Sequence, residues 1–397
     1  MTKAELETHY APDRRNTNSY KWDSMISKFG TNHLLPLWVA DMDFRAPDCV
    51  KEAFQHLIDF GVYGYYVPPA SYLDAIVSWE ARRHGYHIQP EWLRYTCGVV
   101  PGIYWLVNIL TAPCDACMIL TPSYYPFMEA VQNTGRQLVC SELVNQNGHY
   151  TVDIEKFEMD LTKHQVKLFV LCSPHNPTGR VWTPDELRAM LDACKRHGVY
   201  VISDEIHQDI LMPGHIHHPA ATVGNYDDML VILSAASKTF NIAGLKNSFA
   251  IIPNESIRKR FDQYALSIQS TKGGTFGYAA VEAVYNHGEP WLGAVLGIIE
   301  ENFCFLRNTL SKEAPLAHVT PLEGTYLAWV DLGAYMTSKD LQPFIQECCG
   351  LAVDYGSWFF PSGREGDTHI RLNLATPRSN IRRAIEQLVH ELKKKVK

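Results

Sequence analysis

The sequence predicts an α/β protein. It has a large domain with a mostly parallel central sheet flanked by helices, and a smaller α+β domain made from both chain ends. Three observations predict it. Apolar runs at 167–171, 199–203 and 229–233 punctuate the middle of the chain, and near-continuous runs of this kind suit strands covered on both faces. A helix is written between the first two of them, which makes a βαβ unit. Beyond residue 289 the pattern changes to one long helix, an alternating strand and a closing helix.

Each element has its own signal. Strands are expected at 116–120 and 248–252 besides the three runs. The helix after the first run opens on Thr183-Pro184-Asp185-Glu186, which offers an N-cap Thr, Pro at the first helical position and Glu at N3. Leu187, Met190, Leu191 and Cys194 then fall on one face, and Gly198 stops it. Residues 289–310 read as a helix bridging out of the large domain, 324–332 as a strand, and Ile381, Ile385, Leu388 and Leu392 as the apolar stripe of a last helix. The expected division is 48–288 for the large domain, with 1–47 and 289–397 forming the small one.

Composition narrows the function classes. The 397 residues are 46% hydrophobic and 20% charged, with a formal charge of −7, which argues against nucleic acid or an anionic membrane as partner. No apolar run is long enough to span a bilayer, and the first residues lack an apolar signal core, so a cytoplasmic protein is expected. The ten cysteines are then read as reduced thiols rather than a disulfide framework. Cys114-Asp-Ala-Cys117 has no second pair, and Gly214-His215-Ile-His217-His218 lacks metal-ligand spacing; no metal site is expected. The basic tail, 393–397, reads as a solvated helix end.

The three central runs each deliver a polar group at the C-terminal end: Asn176, Asp204 and Lys238. Open α/β sheets place ligands at that edge. An amine, a carboxylate and an amide converging there suit pyridoxal phosphate, with Lys238 forming the Schiff base and Asp204 facing the pyridinium nitrogen. Lys238 would need burial to be neutral part of the time. Asn176 either donates to the cofactor's phenolic oxygen or is a turn residue ahead of Pro177. His207 either bonds the same oxygen or the ring side of the Asp204 carboxylate, or is a satisfied histidine without a role. Cys97-Gly98-Val99-Val100-Pro101-Gly102 precedes a helical pattern and would turn free N–H groups toward a phosphate, though such a turn is common on its own. Tyr124 follows another strand and could stack on the ring. Arg371, inside the alternating stretch 369–375, suits a bidentate clamp on a substrate carboxylate or an internal salt bridge.

These residues resemble the fold type I pyridoxal-phosphate enzymes of the class I/II aminotransferase superfamily, and within it the MalY/PatB group of cystathionine β-lyases. The pieces are residues 14–23, Trp38-Val-Ala-Asp-Met-Asp-Phe44, Pro174-His-Asn-Pro177, Asp204-Glu-Ile-His207, Ser237-Lys-Thr-Phe-Asn241 and Arg371-Leu-Asn373. The resemblance implies a homodimer with shared active sites. It assigns Lys238, Asp204, Asn176 and Tyr124 the same roles, and Arg371 the substrate α-carboxylate. It gives the phosphate to the backbone of Val99 and Val100, with Pro101 contributing no N–H. It places the Ala40 backbone near the substrate carboxylate, and sends one of Tyr63, Tyr65 and Tyr66, assigned as Tyr65, to the partner's phosphate. Two positions depart from the superfamily pattern of a Ser before the lysine and an Arg after it: Ala235 and Lys246 stand there. Ser234 or Ser237, with Lys246, are expected to share the phosphate, Lys keeping the charge without the fork.

The implied reaction is α,β-elimination of L-cystathionine or a related cysteine-S-conjugate to a thiol, pyruvate and ammonia. The rival within the same chemistry is transamination. A rival of another class is a regulatory or interaction protein that keeps the fold.

Overall fold

A computed structural model of the chain describes residues 1–361 and 366–395; Val396 and Lys397, the end of the basic tail, lie outside them. The central sheet has strands β1 (Leu93–Thr96), β2 (Ala116–Thr121), β3 (Gln137–Glu142), β4 (Leu168–Cys172), β5 (Tyr200–Asp204), β6 (Leu230–Ser234) and β7 (Ser248–Ile251). Their spatial order is β1-β7-β6-β5-β4-β2-β3. Strands β2 to β6 run parallel, while β7 is antiparallel to both its neighbours. Strands β2, β4 and β6 are buried along their whole length, as runs of Leu, Ile, Val, Phe and Met between two helical layers should be.

The helices that flank the sheets and frame the site are α1 (Asp48–Phe60), α2 (Ala70–His84), α3 (Val99–Leu110), α4 (Tyr125–Asn133), α5 (Pro184–Arg196), α6 (Ala236–Thr239), α7 (Thr275–His287), α8 (Glu289–Glu313) and α9 (Arg378–Lys393). Helix α5 carries the expected capping box: Thr183 Oγ1 accepts from the Glu186 N–H at 3.2 Å, and Glu186 accepts from the Thr183 N–H at 2.8 Å. Leu187, Met190, Leu191 and Cys194 are buried on its inner face.

A second, antiparallel sheet joins β8 (His318–Val319), β9 (Leu327–Asp331), β10 (Asp354–Tyr355) and β11 (His369–Asn373) in the order β8-β9-β11-β10. Residues Leu35–Pro36 from the N-terminal segment pair in parallel with Leu351–Ala352, so both chain ends meet on this side. Ile381, Ile385, Leu388 and Leu392 of α9 are fully buried. Strand β9 begins later than the sequence predicts. Thr325 sits at φ 70°, and Gly324 instead bridges Leu211 and donates to Gly179 O, so 324–326 form a bend ahead of the strand. Among the described residues no helix is long and apolar enough to cross a membrane.

Candidate active site

Parallel register brings the polar strand ends together. Cys172 lies opposite Asp204, and Asp204 opposite Leu233, so the loops after β4, β5 and β6 open at one edge. There they meet the N-terminus of α3 around a cavity of about 190 Å³ lined by Asn176, Asp204, His207 and Lys238.

Lys238 stands on the short helix α6, one turn past β6. Its Nζ donates to the Ala40 carbonyl at 2.5 Å. The next residue, Thr239, donates to buried Asp209 at 2.8 Å, and Asp209 also accepts from Trp79 and Arg83. Helix α6 is thus tied to α2 from behind. Burial pushes the Lys238 ammonium down to about 8, with Asp41 and Asp204 pulling the other way and Arg371 adding to the fall. About a tenth of Lys238 is therefore neutral amine at pH 7, far more than for an ordinary lysine.

Asp204 ends β5 and is buried, its Oδ1 accepting from the Ile206 N–H at 3.1 Å. Burial pushes its carboxyl up to about 7 against that hydrogen bond and the Lys238 charge. A carboxylate so desolvated calls for a cation in front of it. His207 is buried too, with its imidazole held well below the usual range by burial, and its Nδ1 has no partner among the described residues. Asn176 is 3% exposed, and its Oδ1 accepts from Arg371 Nη1 at 2.9 Å.

The glycine turn is positioned as a cradle. Gly98 caps α3 with φ 149°, and a Cβ there would meet Pro101 Cδ at 3.1 Å, so a side chain would strain both backbone and packing. Val99 and Val100 open the helix and line the cavity, where first-turn N–H groups have no intrahelical acceptor. Tyr124, Ser237 and Lys246 line it as well. Ser234 does not: it is the buried end of β6, its Oγ unpartnered among the described residues. Tyr65 is fully exposed in the irregular stretch between α1 and α2, outside the cavity of its own chain.

The motif 38–44 is clamped from two sides. Asn241 accepts from the Met42 N–H at 3.0 Å and donates to the Met42 and Phe44 carbonyls. Asn373 donates to the Val39 and Asp41 carbonyls at 2.6 Å. Asn241 belongs to the lysine motif and Asn373 to the arginine motif, so the three motifs hold each other. Arg371 itself is 2% exposed. It donates to the Trp38 carbonyl at 3.0 Å and to the Asp354 carboxylate, and rests over Phe359 at 5.0 Å.

Sequence reasoning missed three residues. Asp354 is fully buried and directly opposite Arg371 in the β10–β11 register. Tyr326, also buried, donates to the Ala40 carbonyl at 2.9 Å. Asn247 lines the cavity with its amide nitrogen unpartnered, its oxygen accepting from Tyr72 at 2.9 Å. Asn247 follows Lys246 directly, which was the available signal. His217, from the histidine run, bonds buried Glu205 at 3.0 Å, and no group of three metal-binding side chains occurs among the described residues.

The donor set fits pyridoxal phosphate. A half-buried amine, a buried carboxylate, the open Nδ1 of His207, the open amide of Asn247 and a helix N-terminus all line one cavity.

Known proteins resemble this chain along most of its length. The chain is 38% identical over 380 residues to cystathionine β-lyase PatB of Bacillus subtilis, covering 94% of this chain and 97% of that one. It is 33% identical to protein MalY of Escherichia coli, covering 96% and 97%. Among solved structures, cystalysin from Treponema denticola, which contains a pyridoxal 5′-phosphate cofactor, matches with a TM-score of 0.92 and 36% identity over 97% of this chain and 98% of that one. The pyridoxal-phosphate-bound C–S lyase from Staphylococcus hominis matches with a TM-score of 0.90 and 34% identity over 96% and 97%. Residues 32–388 match the family described as aminotransferase class I and II, and the chain belongs to that family.

Proposed function

We propose that this chain is a pyridoxal-phosphate-dependent C–S β-lyase, which splits L-cystathionine or a related cysteine-S-conjugate, with water, into a thiol, pyruvate and ammonia. The observation that carries it is the convergence of Lys238, Asp204 and Asn176 on one cavity, with Arg371 bonded to Asn176. The likeness to lyases along nearly the whole chain supports the choice of reaction.

Bound in the cavity, pyridoxal phosphate supplies an aldehyde for the substrate amine and an electron sink for the pair left at Cα. The protein's own groups do the rest. Asp204 would hold a proton on the ring nitrogen. Arg371 takes the α-carboxylate, and its partners Asn176 and Trp38 O fix the fork. Lys238, poised near 8 by burial, takes the proton from Cα as general base, and the Cβ–S bond breaks to release the thiolate. Val99, Val100, Ser237 and Lys246 would hold the phosphate, Tyr124 would cover the ring, and His207 would offer its open nitrogen to the phenolic oxygen.

The working unit is a homodimer acting on a small amino-acid substrate. Val62, Tyr63, Tyr65 and Val67 are 62–113% exposed in one short segment, an apolar patch that suits a second copy of the chain. Tyr63 and Tyr66 pack on Phe276 and Tyr278 of α7, which leaves Tyr65 to reach the partner's phosphate. The chain divides at 48 and 289 into a large and a small domain. The seven-stranded sheet falls within the first, and the four-stranded sheet within the second.

The test is pyruvate release from L-cystathionine by the holoenzyme with no keto-acid present. Pyruvate and thiol in equal amounts, lost in Lys238→Ala, are expected. Turnover only when a 2-oxo acid is added would make the protein an aminotransferase instead.

A further inference from the structure

The carbonyl that receives Lys238 has a second donor. Ala40 O accepts from Lys238 Nζ at 2.5 Å and from the Tyr326 hydroxyl at 2.9 Å. A carbonyl oxygen has two lone pairs, so these two donors fill it. The Val39 and Asp41 carbonyls on either side both accept from Asn373, while the Ala40 carbonyl between them turns to the lysine.

Tyr326 stands behind the cavity rather than in its lining. It is fully buried, and burial holds its phenol proton well above the usual range, so the hydroxyl stays a donor near neutral pH. Its place is fixed from three sides. The Thr325 N–H donates to Ile210 O at 2.8 Å, the Leu374 N–H donates to Tyr326 O at 2.8 Å, and its ring meets His207 edge-on at 5.8 Å. His207 and Ile210 belong to the loop that follows β5 and Asp204, and Leu374 directly follows β11, the strand of Arg371. The hydroxyl is thus held by the elements that carry the carboxylate and the arginine of the site.

A carbonyl fixed in this way fixes the amine in turn. Nζ is confined to the oxygen lone pair that Tyr326 leaves free. A neutral amine that gives one N–H there turns its own lone pair to the cavity instead of the backbone. A carbonyl already engaged is also a weaker acceptor for an ammonium, which favours the neutral form. The charged groups that act on the amine are Asp41, Asp204 and Arg371, and His207 and Tyr124 line the same cavity. Tyr326 differs from them in bonding the amine's own acceptor.

We propose that Tyr326 is a positioning residue for Lys238, its hydroxyl holding the Ala40 carbonyl so that the amine sharing that oxygen is aimed at the reacting centre. This rests on Lys238 acting as the base of the proposed lyase, and deepens that reading with a residue outside the cavity on which the base depends.

The test removes the hydroxyl alone. In the cofactor-free protein, competitive labelling of amines with acetic anhydride across pH, read by mass on the Lys238 peptide, gives the midpoint at which the amine loses its proton. In Tyr326→Phe that midpoint rises by about 0.5–1 in pH. In the holoenzyme, kcat for pyruvate release at neutral pH falls about tenfold while KM holds, and the acid limb of the kcat profile moves up with the labelling midpoint. Tyr285→Phe is the control. It too loses a buried hydroxyl, one without a partner among the described residues, and it leaves both readouts unchanged. An unchanged or lowered midpoint, an equal shift in Tyr285→Phe, or a kcat in Tyr326→Phe equal to wild type across pH would overturn the assignment and leave Tyr326 a packing residue. Absent pyruvate with the wild-type protein sinks the lyase reading alone, and labelling still decides Tyr326. If Tyr326→Phe does not fold, Tyr326→Met carries the same comparison.

Discussion

Arg371 donates to the side-chain oxygen of Asn176 across 2.9 Å, and the two are 195 positions apart in the chain. One is on β11 and the other on the loop after β4, so the arginine proposed for the substrate carboxylate and the amide proposed for the cofactor form one unit. Its other end is the Asp354 carboxylate.

That unit is an ionic pair inside the protein, with Arg371 2% exposed and Asp354 fully buried. Burial raises the Asp354 carboxyl, and Arg371 draws it back. Arg371→Met should therefore cost about 3–5 kcal/mol of stability by leaving a buried carboxylate unpaired, and a second change, Asp354→Leu, should recover most of it. Urea unfolding midpoints of the two variants check this. A single variant as stable as wild type would mean that the pair contributes little.

Asp204 makes a pH prediction for the cofactor-free protein. Its folded value, pushed up to about 7, lies above the ordinary 3.8. Between those values the folded state holds more protons than the unfolded one, so stability falls as pH rises through the interval. Asp204→Asn should remove that fall, about 1–4 kcal/mol at its upper end. Lys238 acts in the alkaline range. Its value is lowered from 10.5 to about 8, so the penalty for its buried charge is present below 8 and lifts between 8 and 10.5. Guanidinium unfolding across this range, in wild type and Asp204→Asn, measures both limbs. Pyridoxal phosphate should then stabilise wild type more than Asp204→Asn, because only the carboxylate can face a charged ring nitrogen.

Shared sites predict complementation. If Tyr65 serves the partner's site, Lys238→Ala and Tyr65→Ala lie in the same site in only half of the sites of a mixed dimer. Mixing the two impaired variants after dissociation should restore about one quarter of wild-type activity, half the dimers being mixed with one intact site each. No recovery on mixing would place Tyr65 in its own chain's site or outside the chemistry.

The strand ends and the α5 cap were legible because their signals are local. An apolar run followed by Asp204, or Thr183 three residues before Glu186, needs no knowledge of the rest of the fold. Asp354 was not, because its meaning comes from standing opposite Arg371 across two antiparallel strands, and nothing in 351–356 shows which strand it will pair with. Tyr326 was hidden for a related reason. It lies in a stretch that reads as continuous strand, and the left-handed turn at Thr325 that aims it at Ala40 is imposed by contacts of Gly324 with Gly179 and Leu211. The clamp of Asn241 and Asn373 on 39–44 likewise joins three distant motifs that sequence displays only side by side.

The loop that presents Asn176 depends on a charge as well as a cap. It ends at the capping box of α5, and Glu186 has two tasks there. It accepts from the Thr183 N–H at 2.8 Å and from Arg180 Nη2 at 2.9 Å, while Arg180 Nε reaches Glu323 at 2.9 Å. Arg180 is 3% exposed, so its charge depends on these carboxylates. Thr183→Ala removes only the cap and should cost about 1 kcal/mol, with KM unchanged. Glu186→Ala also takes a carboxylate from a buried guanidinium, which should cost more, about 2–4 kcal/mol. Because the His175 N–H donates to the Arg180 carbonyl at 2.8 Å, a displaced Arg180 should also loosen Asn176 and raise KM. Unfolding midpoints and KM for both variants separate the cap from the charge; equal losses in the two would mean that Glu323 and the Tyr150 carbonyl suffice to hold Arg180.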